Sequence, residues 1–371
     1  MNLATFSFPT TIRFGAGAIS ELPTHLARLG IAQPFVVTDP GLLVTGAFTL
    51  LKTTLAGHGR VFAEVEPNPA EANVEAAARA FVEAGCDGIV AFGGGSALDV
   101  GKAVRLRIKA PGRTLREFDF EADWSGLAPL IAVPTTAGTG SEVGRSAVIV
   151  VDGKKCVFFH PTLLAALVIL DPELTRELPP KLTAATGADA LTHCIESFTS
   201  PVFHPMCDGI ALEGARLITR ALPVAVKNGS DLEARSTMQI AAAMGGIAFQ
   251  KDLGATHSLA HPLSAICGLH HGLANAICLP HVMAWNAARK PGLYRRVGSA
   301  FGLEIADDSA TISAVRELLK GIGLGDGLRA HGVRESHLDA LAEQAWEDSC
   351  HKTNPVPVTR ADLRELYENA L

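Results

Sequence analysis

The sequence lacks the features of a membrane, secreted or nucleic-acid-binding protein. Its net charge of −6 and its pI near 6.1 give no excess of basic residues for nucleic acid or an anionic membrane. The longest purely apolar run, residues 163–170, is too short to span a bilayer. The first nine residues have neither the cationic start nor the apolar stretch of a signal peptide. We therefore expect a cytoplasmic protein with no nucleic-acid or membrane partner.

The cysteines exclude a further class of structure. There are seven, an odd number, and no two lie closer than eleven residues along the chain. This scatter fits neither a disulfide framework nor a zinc ribbon, so we expect reduced thiols. A chain of 371 residues is too long for one compact core, which suggests two domains.

The pattern of apolar residues changes near the middle of the chain. In the first half, β-branched runs alternate with helical stretches, which predicts a mostly parallel sheet covered by helices. The clearest runs are residues 35–39, 88–92, 130–133 and 147–151, and the clearest early helix is 70–84. After Asp171, Ala-, Leu- and Glu-rich helical periodicity takes over. We predict an α/β domain over residues 1–178 and an all-helical domain over 179–371, with the boundary at Pro179-Pro180.

Two histidine-bearing segments in the second half carry the strongest functional signal. Asp189 and His193 are four residues apart, so they lie on the same face of a predicted helix. His257 and His261 repeat that spacing, and His271 follows ten residues later. A carboxylate oxygen with imidazole nitrogens is a suitable ligand set for Zn or Fe(II). Any one of these histidines alone is more simply a hydrogen-bonded residue of a helical core, but the combined pattern favours a metal site.

A glycine-rich turn follows one of the predicted strands. Residues 93–96, Gly-Gly-Gly-Ser, precede a helix predicted over 97–108, where backbone N–H groups can bind a pyrophosphate. We predict Ser96 as the N-cap and Asp99 as its capping-box partner. A tight turn that requires small residues explains the same pattern. The Rossmann spacing is absent, and the acid placed to accept ribose hydroxyls and repel a 2′-phosphate is Asp39, at the end of an earlier strand.

Six motifs along the chain are informative as a set. The motifs are Glu66-Pro-Asn-Pro, Gly93-Gly-Gly-Ser with Asp99, Pro134-Thr-Thr-Ala-Gly-Thr-Gly-Ser-Glu, Asp171-Pro-Glu-Leu-Thr, Thr186-Gly-Ala-Asp-Ala-Leu-Thr-His, and His257 with His261-Pro-Leu and His271-Gly. In order and spacing they resemble the iron-containing, or group III, alcohol dehydrogenases. The resemblance implies an α/β dinucleotide-binding domain with a parallel sheet and an all-α metal-binding domain, in the dehydroquinate synthase-like fold.

The resemblance also implies roles for single residues. It implies that the metal ligands are Asp189, His193, His257 and His271. His271 is preferred over its neighbour His270 because relatives use the histidine that precedes the glycine. It implies that His261 is the catalytic residue that transfers the proton. The implied NAD-binding positions are Asp39, Asn68, Gly94, Gly95, Ser96, Asp99, Thr135, Thr136, Thr139 and Lys155.

The activity that the resemblance implies is reversible, NAD(H)-dependent oxidation of a small primary alcohol to its aldehyde, assisted by Fe(II) or Zn. We expect a homodimer that acts on this small molecule. Arg145 leaves open an ω-hydroxy acid substrate of the 4-hydroxybutyrate type, whose carboxylate it would bind, although pairing with Glu142 or solvent is the simpler explanation. The same motifs also leave open a dehydroquinate synthase-like lyase and, from another class, a non-catalytic nucleotide-sensing or metal-storage protein.

Overall fold

The computed structural model describes residue 6, residues 8–119 and residues 121–371. The chain divides into two units, one comprising Phe8–Leu178 and the other containing Pro179–Leu371. At the division, Pro179 has an extended backbone with ψ of 147°, and a long helix begins at the next residue. Proline favours this arrangement because its fixed φ suits a first helical turn and its missing N–H is not needed there.

The unit Phe8–Leu178 is built on a six-stranded sheet in which every described pairing is parallel. The strands are β1 Ile12–Phe14, β2 Pro34–Val37, β3 Arg60–Phe62, β4 Gly88–Gly93, β5 Leu130–Pro134 and β8 Leu167–Leu170, and the helices are α1 Leu22–Arg28, α2 Gly46–Thr54, α3 Glu71–Glu83 and α4 Gly95–Lys109. The strand order is β1-β8-β5-β4-β2-β3. The inner strands consist of almost continuous apolar residues that are all buried, as expected of a parallel sheet packed on both faces.

A separate two-stranded ribbon lies outside this sheet. Its strands, β6 (Ser146–Val151) and β7 (Lys154–Phe159), pair antiparallel. Asp152 and Gly153 between them have φ of 49° and 75°, the backbone that a two-residue hairpin turn requires. The strand predicted at 147–151 therefore exists, but it does not extend the parallel sheet.

The order of the strands fixes where a ligand can bind in this unit. From β2 the chain continues to β3 on one side, and it then returns to place β4, β5 and β8 on the other side. The order thus reverses between β2 and β4, and ligands of open α/β sheets bind at the carboxyl ends of strands beside such a reversal. Asp39 follows β2 at this point, and the glycine-rich turn follows β4.

The predicted start of α4 is wrong. The helix begins at Gly95 and its N-cap is Gly94, so Ser96 already lies in the first helical turn. The extended backbone of Gly94, with ψ of −173°, lets the helix start directly after β4. Asp99 is not a capping-box partner, because its carboxylate accepts hydrogen bonds from Ser141 Oγ at 2.6 Å and Val148 N at 3.1 Å.

In the unit that contains Pro179–Leu371, every described secondary-structure element is a helix. Its central helix, α5, is buried along nearly its whole length and packs against α6, α7 and α9. A second apolar core joins α8 and α9 to the last two helices. The helices are α5 Pro180–Thr199, α6 Pro205–Lys227, α7 Leu232–Ala248, α8 Ala255–Cys267, α9 His271–Arg289, α10 Arg295–Phe301, α11 Asp308–Gly321, α12 Leu338–Glu347 and α13 Arg360–Ala370. The predicted fold class is confirmed, and no described helix is long and apolar enough to cross a membrane.

The start of α9 tolerates no side chain at Gly272, because a Cβ there would overlap the backbone carbonyl of Ala185 in α5. We expect Gly272→Ala to push α9 away from α5 and to lower the free energy of unfolding by about 1–3 kcal/mol. Gly209→Ala in α6 is the matched control, because its Cβ would meet nothing within 4 Å. Urea unfolding measures both variants. Equal stabilities would contradict the close packing of α9 on α5.

Candidate active site

The carboxylate of Asp189 is the centre of a buried cluster of imidazoles. Its Oδ1 lies 3.5 Å from His271 Nε2, 3.7 Å from His257 Nε2 and 3.8 Å from His193 Nε2. Asp189 and His193 come from adjacent turns of α5, His257 from the first turn of α8, and His271 from the first residue of α9. The structure thus brings together the four residues predicted as metal ligands. His270 caps α9 at an exposed position outside this cluster.

The distances within the cluster suit one metal ion. Two ligands on a tetrahedral ion with bonds of about 2.1 Å stand about 3.4 Å apart, close to the separations from Asp189 Oδ1. The tightest donor set is Asp189, His257 and His271, and His193 lies slightly farther out. Burial opposes protonation of His257, but Asp189 and Glu196 outweigh burial and raise its pKa. The cluster therefore attracts positive charge, and its nitrogen and oxygen donors are those that Zn and Fe(II) accept.

Glu196 fixes the orientation of His257 and was not predicted. Its buried carboxylate lies 2.6 Å from His257 Nδ1, which leaves Nε2 of that ring for the cluster. The same carboxylate accepts hydrogen bonds from Gly254 N at 3.0 Å and Thr256 N at 2.7 Å, at the start of α8. These N–H groups have no partner within a helix, so an acidic side chain from α5 satisfies them. A carboxylate behind a ligating histidine is a common arrangement around protein-bound metals.

Asn275 also belongs to the cluster and was missed. Its Nδ2 lies 2.7 Å from Asp189 Oδ1 and 3.2 Å from Nε2 of both His257 and His271. One carboxylate oxygen and two imidazole nitrogens thus converge on one amide nitrogen, which donates a hydrogen bond to the carboxylate. The spacing of four residues between His271 and Asn275 on α9 is the sequence signal that could have identified it.

His261 lies beside the cluster rather than within it. Its ring stacks on the ring of His271 with centroids 5.2 Å apart, one helical turn beyond His257 on α8. Its Nδ1 lies 2.7 Å from the Oδ2 of Asp348. The predicted catalytic histidine is therefore close to the candidate metal ligands and has a carboxylate partner that the sequence did not reveal.

The predicted cofactor residues of the other unit gather at the carboxyl ends of β2, β4 and β5. A Cβ on Gly94 would lie 3.3 Å from Thr136 Cγ2, and one on Gly95 would lie 2.8 Å from Thr139 Cγ2. The glycine-rich turn thus approaches residues 134–142, which we call the threonine loop, so closely that Gly95 has no room for a side chain. Asp39 reaches the same turn, since its Oδ2 would lie 3.6 Å from a Cβ on Gly93. Thr135, directly after β5, donates its backbone N–H to Gly93 O at 3.0 Å.

The ribbon connects Lys155 with the segment that contains Asn68. Asn68 has φ of 52°, a left-handed conformation that asparagine tolerates better than most residues. Beside it, Pro69 O accepts a hydrogen bond from Val150 N at 2.8 Å, and Val150 is paired with Lys155. Burial raises the pKa of Asp99, and the positive charges of Lys102 and Lys155 oppose that shift.

Lys102 holds the threonine loop in place and was missed. Its Nζ is buried and donates to Ser141 O at 2.6 Å, Ser146 O at 2.7 Å and Gly144 O at 3.1 Å. Burial lowers the pKa of Lys102 to about 8 and raises that of neighbouring Glu142 to about 7. A charged residue three positions after Asp99 on the same helix was the available signal.

Comparisons with known proteins cover the whole chain. Residues 9–172 match the iron-containing alcohol dehydrogenase family, and residues 183–371 match the C-terminal part of the Fe-containing alcohol dehydrogenase family. A 4-hydroxybutyrate dehydrogenase of Cupriavidus necator is 40% identical over 384 aligned residues, covering 100% of both chains. An NAD-dependent methanol dehydrogenase of Bacillus methanolicus is 33% identical, again over 100% of both chains.

Solved structures agree with these matches. A 1,3-propanediol oxidoreductase superposes with a TM-score of 0.95 at 34% identity, covering 100% of both chains. A sulfoacetaldehyde reductase from Bifidobacterium kashiwanohense in complex with NAD+ superposes with a TM-score of 0.91 at 31% identity, covering 100% of this chain and 99% of that one. The predicted resemblance and enzyme class are confirmed: this chain belongs to the iron-containing alcohol dehydrogenase family and is an oxidoreductase.

Proposed function

We propose that the protein interconverts a small primary alcohol and its aldehyde by hydride transfer to and from NAD, assisted by Fe(II), with Zn as the alternative ion. The observation that carries this proposal is the convergence of one carboxylate and three imidazoles at a buried point beside His261. A divalent ion there supplies Lewis acidity toward the substrate oxygen, and the nicotinamide supplies the hydride acceptor. A lyase of the same fold is less well supported, since the aligned relatives named above are oxidoreductases.

In this proposal, residues of the helical unit hold the metal ion and transfer the proton. Asp189, His193, His257 and His271 hold the ion, and Glu196 keeps the Nε2 of His257 directed at it. His261 accepts the proton of the alcohol in one direction and returns it in the other, a task that suits an imidazole.

On the cofactor side, backbone N–H groups at the start of α4 bind the pyrophosphate of NAD. Asp39 accepts hydrogen bonds from ribose hydroxyls, and the loop residues complete the site. Those residues are Asn68, Gly94, Gly95, Ser96, Asp99, Thr135, Thr136, Thr139 and Lys155. The position of Asp39 and of the glycine-rich turn beside the strand-order reversal supports the proposal.

An ω-hydroxy acid with its semialdehyde is a second candidate substrate pair. Within the described residues, no carboxylate forms an ion pair with Arg145, whose guanidinium lies 5.3 Å from the centre of the Phe159 ring. Pairing with Glu142 thus lacks support, and contact with solvent is the simpler explanation that remains for the half-buried Arg145. Two relatives named above carry anionic substrates in their names, 4-hydroxybutyrate and sulfoacetaldehyde. An arginine without an acidic partner suits a substrate carboxylate.

We further propose a cytoplasmic homodimer. Val202, Phe203 and Met206 expose apolar side chains next to one another along the chain, a surface that suits a protein contact. Light scattering of the purified protein measures its mass, and a value near 38.8 kDa would contradict a dimer.

Metal removal tests the metal site. We expect a chelator to abolish turnover and leave NADH binding largely intact, because the two sets of residues belong to different units. His193→Ala should reduce metal content and turnover far more than the control His270→Ala, which changes an exposed histidine of the same unit. Metal analysis and NADH absorbance measure both effects. Full activity after chelation, or equal losses in the two variants, would contradict the ligand set.

The charge of Asp39 tests the cofactor site. We expect Asp39→Asn to relax the preference for NAD over NADP by about tenfold or more, since about 1.4 kcal/mol of lost repulsion gives that factor. The asparagine oxygen keeps the hydrogen bond from Leu42 N that Asp39 accepts, so the local fold is preserved. Asp39→Gly removes both the charge and this hydrogen bond, and it should also relax the preference for NAD over NADP. Equal use of NAD and NADP by the unmodified protein would refute the assignment.

Arg145 tests the second candidate substrate. We expect Arg145→Ala to lower kcat/KM for a semialdehyde by about 10- to 100-fold relative to a plain aldehyde of equal chain length, because a hydrogen bond between charged groups contributes about 1.5–3 kcal/mol. Arg13→Ala is the matched control, because Arg13 of the same unit is already paired with Glu21. A uniform loss on both substrates would rule out recognition of a carboxylate.

A further inference from the structure

The Nδ1 atom of His261 contacts a residue 87 positions later in the chain. This atom lies 2.7 Å from Oδ2 of Asp348, which directly follows α12. Cys350 stands close to both, and the three offer donor atoms within 4.8 Å of one another. Such a group invites two explanations: a second metal site, or a hydrogen-bonded pair that orients the imidazole.

The distance between His261 and Asp348 decides against a second metal site. For bonds of about 2.1 Å, two ligands stand about 3.4 Å apart on a tetrahedral ion and about 3.0 Å apart on an octahedral ion. At 2.7 Å, Nδ1 and Oδ2 are too close to share an ion, and their separation is that of a direct hydrogen bond with a charged partner. The Nδ1 nitrogen therefore donates its hydrogen to the carboxylate.

The other oxygen of Asp348 is occupied as well. Its Oδ1 accepts hydrogen bonds from Ser258 Oγ at 2.8 Å and from Cys350 N at 2.8 Å. Ser258 Oγ itself accepts from His351 N at 2.8 Å, so its own hydrogen is available for Asp348. Burial favours the neutral form of Asp348, but the hydrogen bond and charge of His261, with the hydrogen bonds from Cys350 N and Ser258, outweigh burial and hold the pKa of the carboxyl below its usual value. The carboxylate is thus fixed in orientation and ionised.

We propose that Asp348 is a positioning residue that keeps His261 in the tautomer protonated on Nδ1, so that Nε2 is the nitrogen that takes up the substrate proton. This inference rests on the proposed role of His261 in proton transfer. A neutral imidazole has one donor and one acceptor nitrogen, and the partner of one nitrogen determines the state of the other. Without Asp348, His261 would exchange between two tautomers, one of which cannot accept a proton at Nε2.

The variant Asp348→Asn makes this dependence testable. Ser258 and Cys350 N both donate to Oδ1, so the amide oxygen of the variant is required at that position. Its NH2 group then faces His261 Nδ1, which must become an acceptor. The hydrogen of the imidazole moves to Nε2, and the proton-accepting nitrogen is lost. Replacing one carboxylate oxygen of Asp348 by an NH2 group therefore switches the tautomer of His261, while the shape of the residue 348 side chain is kept.

The first measurement reads the tautomer directly. We suggest 15N NMR of histidine-labelled, zinc-loaded protein, in which His261→Gln identifies the signals of His261 among the 13 histidines. The expected result is a hydrogen on Nδ1 in the parent and on Nε2 in Asp348→Asn. The same tautomer in both proteins, or a hydrogen on Nε2 in the parent, would overturn the proposal.

The second measurement connects the tautomer with turnover. We expect Asp348→Asn to lower kcat by about 100-fold or more, within the range of proton-transfer catalysis, with KM changed only a few-fold. In a His261→Gln background, Asp348→Asn should cause no further loss, since it acts through that ring. Additive losses would mean that Asp348 acts in another way, and they would refute the proposal.

The matched control is Asp339→Asn, which makes the same chemical change at an exposed carboxylate of α12 that is paired with Arg364. It should leave kcat and the His261 signals unchanged, whereas a loss like that of Asp348→Asn would refute a specific effect. Undiminished turnover in His261→Gln would refute the role of His261 in the proposed function. The NMR comparison then still decides whether Asp348 sets the tautomer.

Discussion

The hydrogen bonds of one buried carboxylate, Glu196, hold the candidate metal site together. They connect α5, which carries Asp189 and His193, to the first turn of α8, which carries His257. Removing Glu196 would leave the N–H groups of Gly254 and Thr256 buried without a partner and would remove the contact that orients Nδ1 of His257. Each such unsatisfied group costs about 1–3 kcal/mol. The position of α8 and the direction of His257 therefore depend on the same side chain.

How far the sequence predicts this molecule depends on how local each interaction is. Long periodic helices such as α5 and buried apolar strands such as β4 follow from patterns within a few residues, and both were predicted. The three-residue strands β1 and β3 were not, because so short a segment carries little pattern and its pairing partner lies far along the chain. The start of α4 was misplaced because Ser96 is a better N-cap than Gly94 by preference alone, whereas the end of β4 determines where the helix begins.

Within the candidate site too, the residues with local partners were predictable and those with distant partners were not. Asp189 and His193 share a helical face, so their spacing reports their contact, and Asn275 was identifiable from His271 by the same rule. Glu196 lies seven residues after Asp189, two turns along α5, but nothing local indicates that α8 begins beside it. Asp348 is further still from prediction, because only the folded chain brings it to His261 across 87 residues. Residues that orient other side chains are hard to predict, because their partners lie far away in the sequence and come close only when the chain folds.

The charges of the cluster indicate which kind of ion it suits. Asp189 and Glu196 are both buried, and within the described residues neither forms an ion pair with a lysine or arginine. Two carboxylates in a buried region are costly, and a protonated His257 offsets only one of their charges. With neutral imidazoles, a divalent cation balances the charges of Asp189 and Glu196, whereas a monovalent ion leaves one negative charge and a trivalent ion adds one positive charge. The electrostatic balance of α5 therefore favours the divalent state, which Fe(II) and Zn share, and the remaining choice between them lies with ligand geometry and metal supply.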